Sequence, residues 1–340
     1  MNRSRNEKNL FFSKTLDFLE RYLPGQAMKS TNTIETYRDA LTVFRKYITD
    51  TLHLSLRSFG FEDCTHDLLL DYLGFLNKSG NAAATCNNRL AAIRAYLWYA
   101  ADGDISLQSV ALMASHVPFL KIPKLTREII QEEDLSALLS APKNTKTGKR
   151  DQMILILLYD SAIRVSELLS LDIKSVNLKA AIPYIRVYGK GDKERIVPIT
   201  DVTAGHLKEY MKNYHPDRDA DSPLIYTVIK GNRDRMSVGN VERIIKKYAE
   251  QIRPDHPNLP ESCYPHMVRR TRATNLYQDG TELELVSRIL GHSSTETTRI
   301  YAVPSVEMMR KAMETGILAT NEEPDWPDDE AEMARLCGLR

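Results

Sequence analysis

Tyr264–Ser305 reads YPHMVRRTRATNLYQDGTELELVSRILGHSSTETTRIYAVPS. Pro265 suits the first turn of a helix, where its missing N–H costs nothing. PHMVRRTRATNLYQ then reads as one helix and ELELVSRIL as a second. His266 and Arg269, spaced i and i+3, share one helical face. His266 also falls near the positive end of the helix dipole. Beyond the second helix come Gly291 and His292, then Tyr301 nine residues after His292. A histidine, an arginine, a second histidine and a tyrosine are thus packed into a short stretch.

These residue types suit one kind of chemistry. Cleaving a phosphodiester without a metal spreads negative charge over the non-bridging oxygens. Arginine offers planar, permanently charged donors for them. A hydroxyl must attack, a base should take its proton, and an acid should protonate the leaving oxygen. Working outward, two upstream segments supply what is missing. Arg164 lies in DSAIRVSELLSL, with Glu167 one turn on, and Lys190 lies in YGKGDKERIVP. Taken singly, each is ordinary. Arg164 and Glu167 would form a helix-surface pair, Lys190 a solvated turn residue, and Tyr301 an amphipathic packing residue. The joint pattern reverses those readings.

The segments resemble the tyrosine recombinase (phage integrase) family, with a chain plan similar to its Xer and integrase members. The family pattern is an arginine in LRxSEL, a lysine in GKGxKxR, His-x-x-Arg, then LGH with a tyrosine nine residues on. All occur here in order. The resemblance is close from about Thr126 to Ala312; the preceding domain agrees only in size and helical character. It implies that Tyr301 attacks the scissile phosphate to give a 3′-phosphotyrosyl link. It implies that Arg164 and Arg269 clamp the phosphate, that Lys190 is the general acid and His266 the general base. His292 would hydrogen-bond the phosphate, and Glu167 would support the site. No cofactor or metal is required. Two departures stand out. SAIR replaces the commoner threonine-glycine-leucine-arginine run, which reads as a change of packing. Arg270 replaces a second histidine, which reads as an added phosphate contact.

The rest of the chain is read as mainly α. Residues 1–115 form a helical core-binding, SAM-like bundle, with apolar residues Ile34, Tyr37, Leu41, Phe44 and Ile48 at helical spacing. Thr31 or Asn32 caps that helix, Gly80 stops the next, and a fourth ends at Gly103. Pro118 and Pro123 mark 116–126 as a linker. Residues 127–320 are a mostly helical catalytic domain with a small antiparallel sheet. YIRVYG and ERIVPI pair as a hairpin, and KRDQMILILLYDSAIRVSELLSL reads as one long helix. Residues 321–340 are an acidic tail. Seven acids and two arginines there give −5, leaving +6 on residues 1–320 of a chain whose net charge is +1.

Candidate DNA contacts are Lys29, Thr31, Asn88, Arg89, Arg94, Arg195 and Arg270, each equally readable as solvated surface. The expected partners are double-stranded DNA and three further copies on two recombination sites. A related recombinase or accessory protein is compatible. The two domains are expected to close around the duplex. Related enzymes pass a C-terminal element to a neighbouring protomer; a short amphipathic helix from Glu330 fits that role, and a disordered tail is the alternative. The first bundle starts near residue 10, which favours a simple recombinase over one with an extra arm-binding domain.

Hydrophobic residues make up 42% and charged residues 27%, ordinary for a globular protein. No apolar run approaches the roughly 20 residues of a membrane span, and no secretory signal is seen. Cys64, Cys86, Cys263 and Cys337 are scattered, so neither a zinc site nor a disulfide framework is suggested, and a cytoplasmic setting fits. Rival readings are a type IB topoisomerase and a binding-only descendant of a recombinase. A metal-dependent nuclease is disfavoured by the lack of an acidic cluster.

Overall fold

A computed structural model describes residues 10–122, 128–189, 193–217, 219–292, 295–314, 329–336 and 338. The chain divides into two compact units, Met1–Thr126 and Arg127–Arg340. Each is mainly helical, and the sheets are small and antiparallel.

The first unit begins with a helical stretch of changing pitch. Phe11–Lys14 is 3-10, Thr15–Asp17 (α1) is α-helical and Phe18–Gln26 is π-helical, with Pro24 inside it. Then come α2 (Thr31–Lys46), α3 (His66–Lys78), α4 (Ala83–Asp102) and α5 (Gln108–His116). Ser30 caps α2 by accepting from the N–H of Thr33, one residue earlier than expected. Thr65 caps α3 in the same way. Helix α4 is the central one: Cys86, Leu90, Ile93, Tyr96, Leu97 and Ala100 are all buried along it. Phe11, Phe18, Phe44, Phe61, Tyr72 and Tyr96 fill the core. The hydroxyl of Tyr96 donates to the Phe11 carbonyl, so this buried phenol is satisfied.

Chain 117–120 stays pinned to this unit, although it was expected to be linker. The Asn87 side chain exchanges two hydrogen bonds with the backbone of Leu120, at 2.9 and 2.8 Å. Helix α5 itself carries no strong periodic signal and escaped the sequence reading.

The second unit contains α6 (Glu132–Ser140), α7 (Lys146–Ser161) and α8 (Val165–Ser170). Strands β1 (Val176–Asn177), β2 (Tyr184–Tyr188) and β3 (Glu194–Pro198) follow, then α9 (Asp201–Tyr214). Strands β4 (Tyr226–Ile229) and β5 (Asn232–Arg235) precede α10 (Val238–Ile252), α11 (Pro265–Gln278) and α12 (Leu283–Leu290). Helices α13 (Val306–Glu314) and α14 (Glu330–Leu336) complete it. Strands β1, β2 and β3 form one sheet, with Val187 opposite Arg195. Strands β4 and β5 pair around Lys230 and Gly231, both at positive φ, as a tight hairpin turn requires. Apolar residues of α7 and α10 dominate the core.

One expectation is corrected here. The run from Lys149 to Leu171 is not one helix. It breaks at Ala162, which adopts a left-handed conformation with φ 49°. Helix α8 then restarts with Arg164 as its cap. The reason lies in the contacts that Ala162 makes.

Candidate active site

The break after α7 sets the direction of Arg164. As N-cap of α8 it has an extended backbone, and its N–H would be an orphan of the helix start. Glu167, at the third helical position, accepts that N–H through Oε2 at 2.8 Å. Its Oε1 accepts from Arg164 Nη1 at 2.9 Å. Arg195, on β3, donates Nη1 to Oε1 at 3.0 Å and Nη2 to Oε2 at 2.8 Å. Glu167 is only 5% exposed. Burial alone would raise its pKa, but the hydrogen bonds from Arg195 and Arg164 outweigh it and hold the carboxyl below its ordinary value.

Arg269 projects from α11 into the interior and is 1% exposed. Nη1 donates to the Ala162 carbonyl at 2.6 Å and Nη2 to the Leu290 carbonyl at 2.7 Å. Nη1 also lies 3.9 Å from Glu167 Oε2. Burial, then the neighbouring Arg164, lowers its pKa to about 10, so it stays protonated at neutral pH. Its Nε is buried with no partner. Three guanidinium groups therefore surround one carboxylate. The excess positive charge suits an anion, and Arg164, 41% exposed at its side chain, is the outermost of the three.

His292 follows Gly291, whose φ of 64° ends α12. Its Nε2 lies 3.2 Å from Arg269 Nη2 and its Nδ1 2.8 Å from Thr298 Oγ1. Arginine can only donate, so Nε2 accepts and Nδ1 carries the proton. Burial, then Arg269, Arg164 and His266, push the imidazole pKa down to about 4. His292 is therefore neutral in this site. The Tyr301 ring stacks near the His292 ring, centroids 6.0 Å apart. Tyr301 ends a 3-10 turn, Arg299–Tyr301, is 2% exposed, and packs with Ala162, Ala273, Val286 and Leu290. His266, the second residue of α11, is exposed. Arg164, Glu167, Arg269, His292 and Tyr301 thus come together from four separated segments. Lys190 lies outside the described residues; the strands on either side of it are β2 and β3.

Several of the expected DNA contacts have partners within the fold. Arg195 is 16% exposed at its side chain, and both its Nη groups hold Glu167. Arg270 is buried and donates to the Glu128 carbonyl. Arg94 donates to the carbonyls of Ala114 and Val117 at the end of α5 and covers Phe119 at 4.4 Å. Arg89 donates to Asn81 at 2.9 Å. Each of these arginines thus has at least one acceptor within its own unit: a backbone carbonyl, a side-chain amide or a carboxylate. Lys29, Thr31 and Asn88 are exposed. Thr298, fully buried and bonded to His292, was missed; nothing in STETTRIY marks it in sequence. Among the described residues no three His, Cys, Asp or Glu side chains gather as metal ligands would. Nor is any described helix long and apolar enough to cross a membrane.

Residues 128–308 match the phage integrase family, and residues 16–103 match the phage integrase N-terminal SAM-like domain. Tyrosine recombinase XerD of Staphylococcus epidermidis is 29% identical over 283 residues, 83% of this chain and 91% of that protein. Tyrosine recombinase XerC of Natranaerobius thermophilus is 28% identical over 294 residues, 85% and 93% of the two chains. Among solved structures, the Tn1549 transposon integrase in complex with transposon right end DNA has a TM-score of 0.65 at 20% identity, covering 90% of this chain and 99% of that one. XerH bound to a palindromic difH substrate has a TM-score of 0.63 at 23% identity, covering 87% and 83%. These two share the fold.

Proposed function

The chain belongs to the phage integrase family, and on that premise we propose that it is a site-specific DNA recombinase using Tyr301 as nucleophile. The observation that carries this reading is the unbroken chain of contacts from Arg164 through Glu167, Arg269 and His292 to Tyr301. The Tyr301 phenol oxygen attacks the phosphorus and the bond to the 5′ oxygen breaks. The phenol proton passes to a base, for which His266 at the start of α11 is the candidate. The leaving 5′ oxygen takes a proton, for which Lys190 is the candidate by family resemblance. Arg164 and Arg269 stabilise the charge that develops on the non-bridging oxygens. A non-bridging oxygen only accepts, so neutral His292 serves it by donating, with its proton on Nε2 in place of Nδ1, and adds no charge. The 3′-phosphotyrosyl link keeps the bond energy, so a 5′ hydroxyl can reverse the step.

Both units engage double-stranded DNA in this reading, with Lys29, Thr31 and Asn88 as candidate contacts of the first. Four protomers assemble on two sites in the cytoplasm, and α14 is the candidate element for a neighbour contact. The decisive experiment starts with DNA selected by the full chain from a random pool. A nicked suicide duplex carrying that site traps a covalent complex with the wild type and none with Tyr301→Phe. An adduct that persists in Tyr301→Phe overturns the assignment. Relaxation of supercoils without sequence preference marks a topoisomerase instead, and binding without any adduct marks a binding-only protein.

A further inference from the structure

We infer that Arg195 is a positioning residue that fixes the Glu167 carboxylate, and through it Arg164, for the strand-cleavage step. The inference rests on the recombinase reading above and adds a residue to its machinery.

The geometry is a shared acceptor. Glu167 Oε1 takes Nη1 of Arg195 and Nη1 of Arg164, at 3.0 and 2.9 Å. Oε2 takes Nη2 of Arg195 and the backbone N–H of Arg164, at 2.8 Å each. Both oxygens are thereby fixed in plane by the Arg195 fork, a geometry that lysine cannot reproduce. Arg164 is held by the same two oxygens, at its backbone and at its tip. Rotation of the Glu167 carboxylate would release both.

Arg195 is itself fixed from two further sides. It stands in β3 opposite Val187, so the hairpin sets its backbone. Its guanidinium crosses the chain at Gly291, where a Cβ would come within 2.7 Å of it. Gly291 precedes His292, so one side chain touches the segments that carry Arg164 and His292. Its side chain is 16% exposed and its Nε is buried without a partner. A donor that forgoes one hydrogen bond in order to chelate a carboxylate is placed for that carboxylate, not for a mobile DNA strand.

A positioning role predicts a rate defect rather than a binding defect. It also predicts a change in pH dependence, because Arg195 is the main counterweight to the burial of Glu167. Among the described residues, the other charged groups paired with Glu167 are Arg164 and Arg269. Without Arg195 the carboxyl titrates at higher pH, and a protonated Glu167 loses its hold on Arg164.

The test uses the full chain, its selected site and single-turnover cleavage of the suicide duplex at saturating protein. Arg195→Gln is expected to slow adduct formation by about 100-fold, the scale for a misplaced catalytic group. DNA affinity should stay within about twofold, well short of the tenfold that 1.4 kcal/mol represents. The acid limb of the pH–rate profile should move to higher pH. Arg195→Lys, which keeps charge but not the fork, should recover part of the rate and keep the acid limb near that of wild type. It also guards against a Gln variant that fails to fold. Wild-type cleavage rates in Arg195→Lys, or an unmoved acid limb in a folded Arg195→Gln, would overturn the inference. So would a pure loss of DNA affinity with a shallower salt dependence, the mark of a phosphate contact. If the wild type itself forms no adduct, it is the recombinase reading that fails.

Discussion

The carbonyl of Ala162 accepts a 2.6 Å hydrogen bond from Nη1 of Arg269, and Ala162 holds a left-handed φ of 49° to offer it. The turn serves two purposes at once. It ends α7 so that α8 can restart at Arg164, and it aims a carbonyl at a buried guanidinium that has few other acceptors. Arg269 needs such acceptors because a charge buried without partners is costly.

Alanine is a poor residue for that turn. A left-handed L-residue costs about 1–2 kcal/mol relative to the right-handed form. Glycine avoids this, and its extra freedom in the unfolded chain takes back only about 0.4–1 kcal/mol. The fully buried Ala162 methyl packs with Tyr301, and its loss costs about 0.8 kcal/mol. Relief and loss nearly cancel, so Ala162→Gly should shift stability by less than about 1 kcal/mol, with a urea midpoint that barely moves at unchanged m-value. Cleavage should persist, since the Ala162 carbonyl stays in place. Ala162→Val should lower the midpoint, because a β-branched residue tolerates this φ least.

Arg270 stands beside Arg269 in sequence but faces another neighbour. Its Nη2 donates to the Glu128 carbonyl, and its side chain is buried. Arg270→Met should leave the slope of log Kd against log salt unchanged, whereas loss of one phosphate contact would lower it by about 1. Glu128 is exposed, so water can replace the lost donor. The expected loss of stability is at the low end for a hydrogen bond, about 1 kcal/mol. A shallower salt slope would return Arg270 to the DNA surface.

His292 gives the stability a pH signature. Its pKa in the folded protein is about 4, lowered by burial and then by Arg269 and Arg164. An unfolded histidine titrates near ~6.5. Between these values the unfolded chain binds a proton that the folded chain refuses, so the free energy of unfolding falls as pH drops from ~6.5 to 4. His292→Asn lacks that proton. The stability difference between wild type and variant should therefore move in the variant's favour as the solution is acidified through this window. A difference that stays constant from neutral pH to 4 would mean that His292 is not held neutral.

Arg164, Arg269, His292 and Tyr301 were legible because the segments that carry them resemble a family pattern in order and spacing. What could not be read depends on distant partners. The break at Ala162 lies in an apolar run with no glycine or proline, and the carbonyl it turns inward is taken by Arg269, 107 positions away. Arg195 reads in sequence as a phosphate contact or a surface charge of the hairpin because its partner Glu167 is 28 positions upstream. Strand β5, NRDR, has no alternation and becomes a strand only by pairing with β4. Arg94 reads as a polar helix residue until α5 ends beside it with open carbonyls.

Two glycines separate backbone strain from function. Gly280 and Gly291 both follow helix ends in left-handed conformations, at φ 90° and 64°. Each helix closes with the same pair of bonds: Gly280 to Tyr277 and Thr281 to Leu276, Gly291 to Arg288 and His292 to Ser287. An alanine at either site carries a similar backbone cost, about 1 kcal/mol or somewhat more. The surroundings differ. A Cβ at Gly280 meets nothing within 4 Å, whereas at Gly291 it meets the Arg195 guanidinium at 2.7 Å. The guanidinium cannot simply swing away, because both its Nη groups hold Glu167. Gly280→Ala should thus lower stability with adduct formation unchanged. Gly291→Ala should lower stability by more, because the clash adds to the backbone cost, and should slow adduct formation as well, by displacing Arg195 from Glu167. Equal cleavage rates in the two variants, measured on the same suicide duplex at temperatures where both are folded, would show that the Arg195–Gly291 contact has no bearing on the reaction.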